Sequence, residues 1–324
     1  MKIGGVGVGA LGGYYGGKLY RNGAEVHLLL RTDFEAVKTK GLQISSPDGD
    51  FTVQPHAHAL PGTIGKCDLV LVALKTTAND RYEELITPLI AERTAILCLQ
   101  NGLGNCERLA ELFGAEKIMG GLCFVCLNRT APGVVRHIAF GKIILGEHIG
   151  PPQARTRAIA EMFKKSGVPC GVAENLGHGL WEKLVWNIPF NGLGVASAAG
   201  LEALVSKGET MPEQLGDTLS TDHLLADPQW EQNVRALMLE LIDVASAKGI
   251  ALEPELVDRM IENTRTMGSY RASTVVDFEN GRPIELESMF LEPQRQAQAA
   301  GIAVPHLEAL CIVLGKLARY LPRP

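Results

Sequence analysis

The chain has no uninterrupted apolar run approaching the roughly 18 residues that a membrane-spanning helix requires. Nor is its charge of one sign: 31 Lys and Arg stand against 36 Asp and Glu, giving a mild, well-mixed net charge of -5. That balance argues against a nucleic-acid or membrane surface built on positive potential. The N-terminus lacks the basic region, apolar core and small-residue cleavage site of a secretory signal, so a cytoplasmic setting is expected. Internal repeats and low-complexity tracts are missing as well. The seven cysteines are an odd count scattered along a long chain, which fits reduced thiols rather than a disulfide framework. Cys123 and Cys126 form a C-x-x-C, yet no second Cys/His pair lies at ligand spacing. The motif also falls inside a strand-like run rather than at a helix start. Buried thiols of a core strand are expected there, and no metal.

At 324 residues the chain exceeds a typical single domain, and two domains are expected. The first half alternates strand-like and helix-like segments: "KIGGVGVG", a helical "GGYYGGKLYRNG", then "EVHLLL", "DLVLVAL", "AILCLQ" and "KIMGGLCFVC". Short, nearly continuous apolar runs separated by helices are what a parallel sheet covered on both faces requires. "GVVRHI" and "GKIILGE" flank a turn and predict a hairpin that extends the sheet. A helix over 153–165 and a short strand at "CGVA" close this domain near Glu174. Helices follow. In "DPQWEQNVRALMLELIDVASAKG", Asp227 is the expected N-cap, Pro228 the first helical residue and Gly249 the stop. Val234, Leu237, Met238, Leu241 and Val244 form its buried stripe. The polar, turn-rich stretch 207–222 is expected to be an exposed insertion. The fold class is therefore α/β: a Rossmann-like parallel-sheet domain over residues 1–174 and an all-helical domain over 175–324.

Gly7-Val8-Gly9-Ala10-Leu11-Gly12 matches G-x-G-x-x-G, and it follows the first strand and opens the first helix, the context the pattern needs. Gly7 permits the tight turn, Gly9 lets the backbone approach a pyrophosphate, and Gly12 allows close helix–strand packing. The helix N-terminus offers free N–H groups to the phosphates. A dinucleotide site for NAD usually has an acid at the end of the second strand; here that position is Arg31, with Asp33 two residues on. A guanidinium suits a 2′-phosphate, which favours NADP, against the alternative of a solvated surface arginine. Lys75 and Gln100-Asn101-Gly102 end the next two strands, at the carboxyl edge where open α/β sheets place their ligands.

In "WEKLVWNIPFNGL" the apolar Trp181, Leu184, Val185 and Ile188 recur at helical spacing, while Lys183, Asn187 and Asn191 fall in a narrow arc beside them. Periodicity alone favours a lysine snorkelling to water and asparagines on a solvated face. Pro189 removes a backbone donor and should bend or break the helix.

Over nearly its whole length the chain resembles the ketopantoate reductase family. The resemblance rests on the glycine loop, Arg31, "LKT" at 74–76, "QNG" at 100–102, "WEKLVWN…N" at 181–191, the serine-to-glutamate segment from Ser273 to Glu285, and "GIAVP" at 301–305. It implies a Rossmann domain and a helical domain with the active site in the cleft between them, and NADPH-dependent reduction of 2-dehydropantoate to (R)-pantoate. By position, Lys183 matches the family's proton donor, and Asn187, Asn191 and Ser273 its substrate-binding residues. Asn101 matches an amide touching cofactor and substrate, Lys75 a cofactor contact, Cys126 a backbone contact to the cofactor, and Glu285 an acid at the nicotinamide end. The partner implied is a small 2-keto acid, and helical second domains of this kind often pair as homodimers. The chain departs from the family at Ala272, at Glu287, Phe290 and Leu291 within "ELESMFL", and at Leu201. These changes leave two other readings open: a reductase of a related 2-keto acid, and a nucleotide-binding sensor without turnover.

Overall fold

A computed structural model describes residues 1–321. The chain divides into two compact units, Met1–Leu176 and the part from Gly177 onward.

The first unit is built on a ten-stranded sheet. Its strands are β1 (Lys2–Val6), β2 (Glu25–Leu29), β3 (Leu42–Ser45), β4 (Phe51–Val53), β5 (His56–His58), β6 (Leu69–Val72), β7 (Ala95–Cys98), β8 (Ile118–Ala131), β9 (Val134–Glu147) and β10 (Cys170–Val172). The helices of this unit are α1 (Ala10–Arg21), α2 (Phe34–Lys40), α3 (Tyr82–Ile86), α4 (Asn105–Phe113) and α5 (Ala154–Lys165). The strands run β5-β2-β1-β6-β7-β8 in parallel, and β9 then pairs antiparallel with β8. Strand order therefore reverses between β1 and β6, the switch point at which such sheets bind ligands. Ile3, Val26, Leu28, Leu69, Leu71 and Leu97 are fully buried in the sheet, and Tyr15 of α1 and Phe163 of α5 close over it.

One expectation needs correction here. The predicted hairpin between "GVVRHI" and "GKIILGE" does not exist: residues 134–147 form the single strand β9. The reversal comes earlier, at 132–133 between β8 and β9, where Gly133 has φ +71°. Gly141, beside the expected turn, sits instead in a bulge, where the register skips from Phe124↔Lys142 to Val125↔Phe140. Three short strands, β3 to β5, also arise from a stretch whose pattern does not mark them. Cys123 is buried and Cys126 half-buried in β8, and all seven cysteines are free thiols.

The second unit is helical: α6 (Leu176–Ala196), α7 (Leu201–Val205), α8 (Thr221–Ala226), α9 (Pro228–Ala247), α10 (Leu256–Arg265), α11 (Ser273–Glu279), α12 (Glu292–Ala299) and α13 (Pro305–Leu317). A π-helical turn, Glu287–Leu291, leads into α12. In α9 the Asp227 carboxylate accepts the Gln229 amide at 2.8 Å, and the predicted apolar stripe is fully buried. Several helices of this unit have no capping side chain of their own, α11 and α13 among them. Ala272 precedes α11 and Val304 precedes α13, and neither can accept an N–H. Their caps come from other helices: Asn191 of α6 accepts Thr274 N–H at 2.9 Å, and Glu240 of α9 accepts His306 N–H at 2.8 Å and Leu307 N–H at 2.9 Å. The stretch 207–222 is exposed over most of its middle but not at its end. Thr218, Ser220 and Thr221 are buried, because their polar groups are hydrogen-bonded; Thr221 N–H, for example, reaches Tyr270 O at 2.9 Å.

Candidate active site

The glycine loop separates into positions with no room and one with room. Gly7 has φ +86°, and a Cβ there would lie 2.2 Å from Leu74 N in the loop after β6. A Cβ at Gly12 would lie 2.7 Å from Gly7 O. At Gly9, the residue preceding α1, an added Cβ meets no atom within 4 Å. Val8, Ala10 and Leu11 are partly buried and pack against the core. The first turn of α1 carries no acidic residue, and no side chain caps it. Main-chain N–H groups beside an open Gly9 are what a pyrophosphate needs, and the loop fits one.

At the end of β2, Arg31 is exposed and Asp33 is buried. Asp33 accepts Arg129 Nε at 2.8 Å and the Gly133 N–H at 2.9 Å, and Thr32 donates to it at 2.9 Å. Burial pushes this carboxyl up, but the Arg129, Gly133 and Thr32 hydrogen bonds outweigh that and hold it below the ordinary carboxylate range. The acid nearest the end of β2 is therefore committed to the β8–β9 hairpin, and Arg31 is the charge presented. Arg129 was not visible as a participant in the sequence: it is 96 residues from Asp33.

Lys75 is exposed just beyond β6, and Asn101 is half-buried just beyond β7. Because β1, β6 and β7 are parallel neighbours, Gly7–Gly12, Lys75 and Asn101 lie along one edge of the sheet. Cys126 lies in the adjacent strand, β8.

In the second unit α6 runs unbroken through Pro189. Trp181, Leu184, Val185 and Ile188 are buried as expected. Asn187 and Asn191 are not on a solvated face: they are 8% and 2% exposed, and Lys183 is half-buried one turn before them. Asn191 Nδ2 donates to Asn187 O at 2.9 Å, while its Oδ1 accepts Thr274 N–H and, at 3.4 Å, the Ser273 hydroxyl. Asn191 thus joins Ser273 to α6 directly. Trp186, which the pattern left out, donates Nε1–H to Thr264 Oγ1 at 2.8 Å and anchors α6 to α10. Glu285 is buried ahead of the π-helical turn.

Two of the unusual residues near Glu285, Phe290 and Glu287, have structural explanations. Phe290 is fully buried, and a Cβ at Gly192 of α6 would lie 2.8 Å from its ring, so the phenyl group fits because position 192 has no side chain. Glu287 is exposed and pairs with Arg295 at 2.5 Å. Leu201 is half-buried at the start of α7. Among the described residues, no helix is long and apolar enough to cross a membrane, and no group of His, Cys, Asp and Glu could hold a metal ion.

A family profile described as ketopantoate reductase PanE/ApbA matches residues 3–150, and the profile of its C-terminal region matches residues 217–318. The 2-dehydropantoate 2-reductase of Nostoc sp. is 37% identical over 312 residues, 94% of this chain and 91% of its own. The crystal structure of 2-dehydropantoate 2-reductase from Geobacter metallireducens superposes with a TM-score of 0.88 at 45% identity, covering 98% of this chain and 99% of the other. That from Methylococcus capsulatus gives a TM-score of 0.88 at 30% identity, covering 100% and 99%.

Proposed function

The chain belongs to the ketopantoate reductase family, and on that premise we propose that it reduces 2-dehydropantoate to (R)-pantoate with NADPH. The observation that carries this reading is the coexistence, in a chain of that family, of a phosphate loop open at Gly9 and an amine–amide row on α6. In this reading residues 1–174 hold the dinucleotide and residues 175–324 hold the keto acid, in the cytoplasm. Bound NADPH supplies the hydride.

The chain's own residues do the rest. The loop Gly7–Gly12 cradles the pyrophosphate with the free N–H groups at the start of α1, and Arg31 pairs with the 2′-phosphate. Lys75, Asn101 and the Cys126 backbone orient the cofactor. Lys183 is the general acid: its ammonium polarises the ketone and gives its proton to the carbonyl oxygen as the carbon takes the hydride. Asn187 and Asn191 hold the substrate's polar groups without adding charge. Ser273 hydrogen-bonds the carboxylate, and Glu285 orients Lys183 or the substrate hydroxyl at the nicotinamide end.

The test is steady-state oxidation of NADPH by the purified chain over a panel of 2-keto acids. The expected result is the highest kcat/KM for 2-dehydropantoate. A much better substrate elsewhere in the panel would overturn the substrate assignment. No turnover with any of them, despite tight NADPH binding, would leave a nucleotide-binding protein without this activity.

A further inference from the structure

The loops that follow β6 and β7 are tied together by a chain of side-chain amides. Tyr82 donates its hydroxyl to Gln100 Oε1. Gln100 Nε2 donates to Asn79 Oδ1 at 2.8 Å, and Asn79 Nδ2 donates to Asn105 Oδ1 at 2.8 Å. Asn105 Nδ2 completes the series by donating to the main-chain carbonyl of Asn101 at 2.9 Å. Every carboxamide accepts at oxygen and donates at nitrogen, so the chain has a single polarity from the phenol to the Asn101 carbonyl.

The placement of these residues gives the chain its meaning. Asn79 lies in the 3-10 turn Thr76–Arg81, which begins immediately after Lys75. Gln100 and Asn101 follow β7, and Asn105 opens α4. The ladder between the two strands pairs Val72 with Cys98 and goes no further. Beyond that point the amides connect the segment carrying Lys75 to the segment carrying Asn101. Tyr82, Gln100 and Asn105 are buried, so an amide left without its partner there would cost far more than it would in water. Because the bonds are in series and polarise one another, losing one donor weakens those beyond it.

We infer that Asn79, Gln100 and Asn105 are positioning residues that hold Lys75 and Asn101 in register for the dinucleotide. This rests on the function proposed above. A purely structural tie would support folding and leave cofactor affinity alone; a positioning chain sets that affinity.

Asn105→Asp separates the two. Its carboxylate still accepts from Asn79 but has no proton for the Asn101 carbonyl, and it repels that oxygen. Once protonated it is isosteric with the amide and donates again. Burial beside a carbonyl holds the new carboxyl above the ordinary value of about 3.9, so mild acid restores the donor. The probe is oxidised NADP, titrated against the full chain at about pH 8 and about pH 5.5. At the higher pH the variant should bind about tenfold more weakly than wild type, and at the lower pH within about twofold of it. Asn105→Ala, with no group to protonate, should stay weak at both. Wild-type affinity for Asn105→Asp at both pH values, or an equal deficit at both, would overturn the inference. Should that variant fail to fold, Tyr82→Phe removes only the first donor; a loss of about two- to threefold supports the chain, and none overturns it. A wild-type chain that does not bind NADP removes the proposed function and this role together, whereas the variant results remove this role alone.

Discussion

In Met1–Leu176 the glycine-loop candidates are set by main-chain geometry. Gly7 and Gly12 are glycines because backbone atoms stand where a side chain would be, whereas a Cβ at Gly9 would meet nothing within 4 Å. In the part from Gly177 onward the main chain is an ordinary helix, and the candidates are side chains fixed by other side chains, as Ser273 is by Asn191. The first kind of site is made by one continuous stretch of chain packed against the backbone at Leu74. The second depends on residues far apart, such as Asn191 and Thr274, 83 positions away. In the proposed function one half would supply N–H groups that need no protonation state, the other an amine whose proton would be consumed in each turnover.

The contrast can be broken most sharply at Lys183. Lys183→Ala should lower kcat by about 10²- to 10⁴-fold while leaving NADPH affinity unchanged, as steady-state and binding measurements would show. An unaltered kcat would place the chemistry elsewhere.

The glycine loop should respond in the opposite way. Gly9→Ala should keep its melting temperature and lose about tenfold or more in NADPH affinity, since the added methyl meets only the incoming phosphate. Gly7→Ala should lose stability as well, because its Cβ falls on the backbone at Leu74 and its φ is +86°. Equal melting temperatures for the two variants would dissolve the distinction drawn between them.

Arg31→Ala should weaken NADPH binding about tenfold and leave NADH nearly unaffected. Equal losses for both would remove the 2′-phosphate role.

The smallest effect is expected at Asp33, whose carboxyl is depressed by its partners. Such a group contributes stability that is fully present above its unfolded value, about 3.9, and is lost as pH falls through the lower folded value. Asp33→Asn should therefore lower the urea midpoint at neutral pH, with the gap to wild type closing below about pH 4. A gap that is constant with pH would mean that the Arg129 pair contributes nothing through charge.

Legibility in the sequence followed the range of the interactions. The phosphate loop, the apolar strands β1, β2, β6 and β7, and the caps of α9 are encoded within a few residues, and they read directly. The β8–β9 reversal was misplaced because Gly141 and Gly133 carry the same turn signal, and only cross-strand register decides which is a bulge. Asn187 and Asn191 looked like a solvated face because periodicity reports spacing on one helix and not what covers it. Phe290 looked foreign because its explanation, Gly192, is nearly a hundred positions away.

The borrowed caps of α11 and α13 bear on how the helical part comes apart. Their first amides are sealed by Asn191 and Glu240 rather than by anything within their own segments. Hydrogen exchange at Thr274 should therefore follow the opening of α6, and exchange at His306 and Leu307 the opening of α9. A peptide spanning α11 or α13 alone would fray from its first turn.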